Sequence, residues 1–152
     1  MRFGTNRMVK MAVLVAMSVV LLMLIRFPLI PAAPFLIYEP ADVPILIGTF
    51  MYGPGCGFII TFAVALLQSL TVNAADGWVG FAMHLIATGT LALVAGCIYR
   101  KIHTQRGAVT ALIAGSLLMT AVMIPSNLFF DVKFYGMQYE AVKKMIVPAI
   151  LP

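Results

Sequence analysis

The stretch VPILIGTFMYGPGCGFIITFAVALLQSLTVNAA, residues 43–75, runs for 33 residues without a charged side chain. A membrane-spanning helix needs about 20 residues, within a range of about 17–25, so this stretch is too long for one crossing. Its middle, residues 53–57, reads Gly-Pro-Gly-Cys-Gly, and three glycines and a proline within five positions break a helix. The stretch therefore predicts two short helices, over residues 43–52 and 58–71, joined by a tight turn.

Three further uncharged stretches lie on either side of this one, at residues 11–25, 77–99 and 107–130. The last two have the length of a single spanning helix. The first is short, but Lys10 and Arg26 at its ends can extend their charged groups to the two membrane surfaces. The sequence thus predicts an all-α membrane protein with five transmembrane helices in a single domain, residues 1–152.

The composition excludes an ordinary soluble domain. Hydrophobic residues make up 62% of the chain and charged residues 10%, whereas soluble domains have about 45–50% and about 25%. The net charge of +5 does not indicate nucleic-acid binding, because the basic residues stand in small groups at the ends of apolar stretches. Cys56 and Cys97 lack the spacing of a metal site, and we interpret both as buried free thiols.

Two basic clusters predict the orientation of the chain. One precedes the first helix and the other follows the fourth; they comprise Arg2, Arg7 and Lys10, and Arg100, Lys101 and Arg106. Basic residues favour the cytoplasmic side, so an even number of crossings should separate the clusters. Four crossings satisfy this rule only if residues 43–75 form two helices. We therefore expect a multi-pass protein of the bacterial plasma membrane with a cytoplasmic amino terminus.

The loop between the first two helices, residues 26–42, has an unusual composition. It reads RFPLIPAAPFLIYEPAD and carries prolines at positions 28, 31, 34 and 40. Proline fixes the backbone angle φ and favours extended structure, also in the residue before it. This pattern predicts a long, stiff and apolar extracellular loop that lies over a cavity.

Polar residues within the spans indicate a binding site rather than a catalytic one. They lie on three predicted helices and comprise Gln68, His84, Thr88 and Asn127. Polar side chains inside a membrane usually face the bundle interior or a cavity. Each alone could simply bond a neighbouring helix, but convergence from three helices favours a ligand site. No catalytic or ATP-binding motif and no metal-ligand spacing occurs, so we predict a protein that is not an enzyme.

Several motifs resemble one known family. They are Tyr-Glu-Pro-Ala-Asp-Val-Pro at residues 38–44, Gly-Pro-Gly-Cys-Gly at 53–57, Gly-Trp-Val-Gly at 77–80 and Pro-Ser-Asn at 125–127. From about residue 8 onward the chain resembles the substrate-binding S components of energy-coupling factor (ECF) transporters, most closely the riboflavin-specific group. The resemblance implies a bundle of six helices in which the first loop caps an outward-facing vitamin pocket.

The resemblance also implies partners and roles for particular residues. A transmembrane T component and two ATPase subunits would carry the vitamin, so ATP is used by partners, the vitamin is a substrate, and no cofactor is expected. The Ala-x-x-x-Ala pair of the first helix, Ala12 and Ala16, would contact the T component. Asn127 would contact the flavin ring. Apolar walls would come from the first loop, and the full set of expected substrate-binding residues is Phe35, Leu36, Tyr38, Asp42, Gln68, His84, Thr88 and Asn127.

Three departures from the family pattern keep alternatives open. His84 stands where the family often has Asn, and Gln68-Ser69 stands where it often has Lys-Asn. The substrate could therefore be another vitamin or flat heterocycle, and a membrane scaffold without a ligand is a further alternative. The chain also ends at Pro152, where the family's sixth helix and its Asn-x-x-Lys motif would begin. We expect a truncated product that binds weakly or not at all, and that gains yield and vitamin retention when a sixth helix is added.

Overall fold

The structure is a computed structural model that describes residues 4–25, 27–30, 33–38, 40–71 and 77–133, with backbone only at 27–30, 33–38, 131 and 132. The expected absence of a sixth helix falls on residues 134–152, outside the described residues. Within these residues the elements are five helices and two strands: α1 Thr5–Leu24, β1 Phe27–Ile30, β2 Ala33–Tyr38, α2 Asp42–Tyr52, α3 Pro54–Thr71, α4 Gly77–Lys101 and α5 Gln105–Lys133.

The predicted pair of helices in residues 43–75 is confirmed, with one difference in the turn. Gly53 alone is non-helical, and its positive φ of 92° reverses the chain between α2 and α3. Helix α3 begins at Pro54, four residues earlier than predicted. Proline is well suited to the first position of a helix, because its fixed φ is helical and the N–H that it lacks would have no partner there. Glycines 55 and 57 therefore lie inside the first turns of α3.

Helix lengths divide the bundle into long and short members. α1, α3, α4 and α5 are long and apolar enough to cross a membrane. α2 has 11 residues, which gives it a length of about 16 Å, roughly half of a hydrocarbon core of about 30 Å. The predicted all-α membrane class is confirmed, and the half-length of α2 becomes important for the site.

The proline-rich loop forms a short antiparallel hairpin. Phe27 pairs with Tyr38, and Ile30 pairs with Ala33, with an irregular register between Pro28 and Ile30. Proline cannot donate a backbone hydrogen bond and is found in sheets at edges or irregularities, which accounts for this break. The sequence predicted extended backbone here but not the pairing of the two strands.

Helix α4 is central among the described helices, since it packs against α2, α3 and α5, while α1 packs against α2 and α3. The closest approach involves glycines of α3 and α4. A β-carbon added at Gly57 would lie 2.8 Å from the Thr49 Cβ, and one at Gly96 would lie 2.9 Å from the Pro54 Cα. Thr49 is itself buried, and its hydroxyl donates to the Ile45 carbonyl at 2.8 Å. Small residues are therefore required where α2, α3 and α4 meet.

Among the four long helices, α1 and α5 are the least covered by the rest of the described bundle. Large apolar side chains such as Met17 and Leu117 are exposed there, as expected for surfaces in contact with lipid. Ala12 and Ala16 also lie on an exposed side of α1. The interpretation of both cysteines as buried thiols is half wrong: Cys56 is buried, but Cys97 faces outward from α4, because its helix position turns away from the packed α2 and α3.

Candidate functional site

The bundle has two ends that differ in chemistry. We call one the Gly53 end, and it holds the α2–α3 turn. The start of α1 also lies there, because the Arg7 Nη2 donates to the Tyr52 carbonyl at 2.5 Å. We call the opposite one the hairpin end; it holds β1 and β2, which follow directly on the last turn of α1. Helix α4 begins at the hairpin end and finishes at the Gly53 end, since Gly96 lies against Thr49 and Pro54.

Asp42 and Thr88 meet in the middle of the bundle. Asp42 is the first residue of α2, and its Oδ1 accepts a hydrogen bond of 3.1 Å from the Thr88 hydroxyl. Thr88 is 2% exposed and lies near the midpoint of α4. Helix α2 runs parallel to α4, so residues 77–87 of α4 continue for about 16 Å beyond the depth at which α2 begins. The short α2 therefore covers only the half of α4 that lies towards the Gly53 end.

His84 lies on the same face of α4 as Thr88. The two residues are four positions apart, which places their side chains one above the other on a helix. His84 is half-buried and one turn closer to the hairpin end. The structure thus brings three of the predicted site residues, on α2 and α4, to one place.

Gln68 and Asn127 come from the helices on either side of α4. Phe58 of α3 contacts the Gly89 position of α4, and the two helices run in opposite directions. Gln68, ten residues further along α3, therefore lies at the depth of the first turn of α4. Leu91 of α4 contacts Gly115 of α5, which places Asn127, three turns further, near the same depth. Gln68 is 2% exposed.

Asn127 has an unusual environment. Its Oδ1 is buried and has no hydrogen-bond partner among the residues that the structure describes. A buried amide oxygen without a partner is costly, and such groups in native proteins usually have a ligand, water or further chain to bond.

Gln68, His84 and Asn127 lie on three helices that are joined only through α4 in the described part of the chain. Within the described residues, α3 and α5 both pack on α4 but not on each other, so contact of Gln68, His84 and Asn127 with one ligand stays a prediction. Phe35, Leu36 and Tyr38 lie in β2, and their side chains are outside the described residues.

Ser18 is a candidate that sequence reasoning missed. Its side chain is fully buried on α1, and its hydroxyl has no hydrogen-bond partner in the described part of the chain. Leu14, one turn earlier, contacts the Gly48 position of α2, so Ser18 lies near the depth of the first turn of α2. A hydroxyl alone in the middle of an apolar helix was the signal available in the sequence.

The fold and these residues together define a multi-spanning membrane protein with polar groups gathered around one end of its bundle. Residues 6–152 match the family described as the substrate-specific component of ECF transporters. The chain belongs to this family, whose members are transporter components. The resemblance inferred from the sequence motifs is confirmed.

Individual relatives support the same assignment. The riboflavin transporter RibU of Lactococcus lactis subsp. cremoris (strain NZ9000) is 32% identical over 133 residues, which cover 86% of this chain and 65% of that protein. The riboflavin transporter RibU of Staphylococcus aureus (strain TCH60) is 31% identical over 153 residues, which cover 97% of this chain and 79% of that protein. The chain thus spans somewhat less than two thirds of the Lactococcus proteins.

A solved structure shares the fold. It is described as the S component of a bacterial ECF transporter and is 31% identical to this chain, with a TM-score of 0.79. The alignment covers 93% of this chain and 82% of that one. The arrangement of the helices is therefore that of an S component.

Proposed function

We propose that this chain binds riboflavin at the hairpin end of its bundle, as the substrate-binding subunit of an ECF-type uptake transporter. One observation carries the proposal: α2 begins in the middle of the bundle, where Asp42 accepts a hydrogen bond from Thr88. The other helices continue towards the hairpin end, and they carry the polar residues His84, Gln68 and Asn127 there. The relatives in Lactococcus and Staphylococcus, both riboflavin transporters, support this substrate.

The side-chain chemistry suits a flat heteroaromatic ring. Such a ring needs apolar walls and a few directed polar partners. Asn127 can both donate and accept, which matches the alternating donors and acceptors along the edge of a flavin ring. Asp42, Thr88 and His84 would form the polar floor, and Phe35, Leu36 and Tyr38 of β2 would cap the ring from the loop.

The distribution of basic residues supports an orientation in which the hairpin end faces outward, since the hairpin end has only Lys133 among the described helices. The Gly53 end carries five basic residues of the described helices, namely Arg7, Lys10, Arg100, Lys101 and Arg106. Basic residues favour the cytoplasmic side, so the hairpin end would face outward and take up the vitamin there.

A T component and two ATPase subunits would supply the energy for transport. Ala12 and Ala16 lie on an exposed side of α1, where small side chains permit close approach of another helix. The double substitution of both alanines by leucine should leave riboflavin binding by the solitary protein unchanged and lower uptake by the full complex. Equal loss of binding and uptake would show that the partner face lies elsewhere.

Titration of riboflavin fluorescence with purified protein in detergent tests the proposal. Saturable quenching of the riboflavin fluorescence supports riboflavin binding, provided that an excess of a competing riboflavin analogue reverses the quenching. Mass spectrometry of small molecules released from the same protein separates the alternatives: a flavin supports riboflavin, another heterocycle supports a different vitamin, and a protein that releases and binds nothing supports a ligand-free scaffold.

A further inference from the structure

Helix α5 contains a proline in its interior. Pro125 lies in the half of α5 towards the hairpin end, and the helix continues beyond it to Lys133. Proline has no N–H, so the carbonyl of Ala121, four residues earlier, loses its bond within the helix, and the proline ring presses against that same carbonyl. The turn over residues 121–125 is therefore a break in the hydrogen-bond ladder of α5, and Asn127 follows it closely.

Pro125 and Asn127 face opposite sides of α5. Residues two positions apart point in directions about 200° apart around a helix axis. Pro125 and Ala121 are exposed, whereas Asn127 is half-buried in a helix that packs on α4. The contact between the proline ring and the Ala121 carbonyl opens the exposed side of the helix, so we expect α5 to bend towards the side that carries Asn127. The proline thus affects the direction in which Asn127 points.

Ser126 makes a hydrogen bond across the turn that contains the proline. Its hydroxyl donates to the Val122 carbonyl at 2.8 Å, and both residues are half-buried. In a regular helix this carbonyl accepts the backbone N–H of residue 126, so the hydroxyl is a second donor to it. Side-chain bonds of this kind also bend helices. The bond ties residue 126 to the turn before the proline and limits how far the break can open.

A second bond of the same kind lies earlier in α5. The Thr120 hydroxyl donates to the Ser116 carbonyl at 2.9 Å, and both residues are exposed. The spacing of four residues is the same as in the Ser126 bond, but no proline lies between the two partners. The helix therefore offers an internal control that separates a hydroxyl bond across a break from a hydroxyl bond in regular helix.

The direction of the Asn127 amide matters because its oxygen is isolated. The Oδ1 is buried and has no hydrogen-bond partner among the residues that the structure describes. A hydrogen bond weakens steeply as its angle departs from linearity, so a small rotation of the turn after Pro125 changes what this oxygen can bond. An acceptor that is already held in the direction of its ligand loses less freedom on binding.

We propose that Ser126 is a positioning residue of the ligand site: together with Pro125 it sets the direction of the Asn127 amide, without touching the ligand. The inference rests on the proposed function, because it assumes that Asn127 bonds the flavin ring. It adds that the direction of Asn127 is set within α5, by the break at the proline and the hydroxyl bond across it.

Titration of riboflavin fluorescence with variants of the full chain tests the proposal. Ser126→Ala removes the bond across the break and should raise Kd about fivefold, as expected for the loss of one hydrogen bond. Ser126→Thr keeps the hydroxyl and should bind within about twofold of the wild type. Thr120→Val removes the matched bond away from the proline and should leave Kd unchanged. Thermal unfolding in detergent should show similar stability for the three variants, which excludes loss of the fold as the cause.

Two double-mutant cycles separate positioning of Asn127 from general support of the helix. In an Asn127→Leu background, Ser126→Ala should cause no further loss of affinity, because no amide remains to be directed. Pro125→Ala restores the bond to residue 121 and should itself weaken binding, and in that background too Ser126→Ala should add nothing.

Three results would overturn the positioning role alone. They are wild-type affinity in Ser126→Ala, an equal loss in Thr120→Val, and losses that multiply independently in both cycles. Absence of riboflavin binding by the wild-type protein is a different result, which would overturn the proposed function and the positioning role together.

Discussion

The two ends of the bundle are built on opposite principles. Towards the Gly53 end, glycines 57 and 96 let α3 and α4 approach Thr49 so closely that a single methyl group would not fit. Towards the hairpin end, α2 does not extend beyond Asp42, and the polar residues Gln68, His84 and Asn127 lie on helices that do. The close crossing fixes the depth at which α2 begins. That depth in turn places Asp42 beside Thr88.

The largest expected effect is on the close crossing. Gly57→Ala puts a methyl group into the buried Thr49 side chain, and the helices must move apart. We expect a loss of about 3 kcal/mol in the free energy of unfolding, at the upper end of the range for overpacking. Thermal unfolding of the purified protein in detergent would measure it.

Two neighbouring glycines calibrate that result. At Gly48 the nearest atom is the flexible end of Ile60, so Gly48→Ala should cost less than Gly57→Ala. Gly55→Ala meets nothing within 4 Å and should change stability by no more than about 1 kcal/mol. If all three variants were equally stable, the crossing would not be the feature that fixes α2.

The next effect concerns the ligand end. Asn127→Leu keeps the size of the side chain and removes its donors and acceptor. Riboflavin binding should weaken by about 2 kcal/mol, roughly thirtyfold in Kd. Thr120→Val is the matched control, because this exposed residue of α5 donates its hydroxyl to the Ser116 carbonyl and lies two turns away from Asn127. Stability should be similar in both variants.

The smallest effect tests the contact between the two regions. Thr88→Val is nearly isosteric and removes the hydrogen bond to Asp42, which should cost about 1 kcal/mol of stability. Thr88→Ser keeps the hydroxyl and should cost less. A valine variant as stable as the wild type, with the serine variant less stable, would mean that packing rather than the Asp42 bond holds α2 at this depth.

Local sequence signals predicted much of this fold. The length of residues 43–75 and the break at Gly53 depend only on nearby residues, and the family motifs carried the assignment. The prolines of residues 26–42 predicted extended backbone, but the pairing of Phe27 with Tyr38 depends on contacts across the loop.

Features that depend on the relative depth of two helices could not be predicted. To predict the contact between Asp42 and Thr88, one must know which residues of α2 and α4 pack together. That pairing depends on the close approach of Thr49 to Gly96, which the sequence alone does not reveal. The same holds for the outward position of Cys97, which depends on the side of α4 that the neighbouring helices cover.

We propose that the hairpin end binds riboflavin and that Asn127 takes part. The most direct test of this proposal is a titration of riboflavin fluorescence with wild-type protein, Asn127→Leu and Thr120→Val under identical conditions. The ratio of the dissociation constants decides the outcome, whatever the absolute affinity. We predict saturable binding by the wild type and Thr120→Val with equal Kd, and a Kd roughly thirtyfold higher for Asn127→Leu. Equal affinity of all three proteins, or no quenching by the wild type up to the solubility limit of riboflavin, would contradict the account.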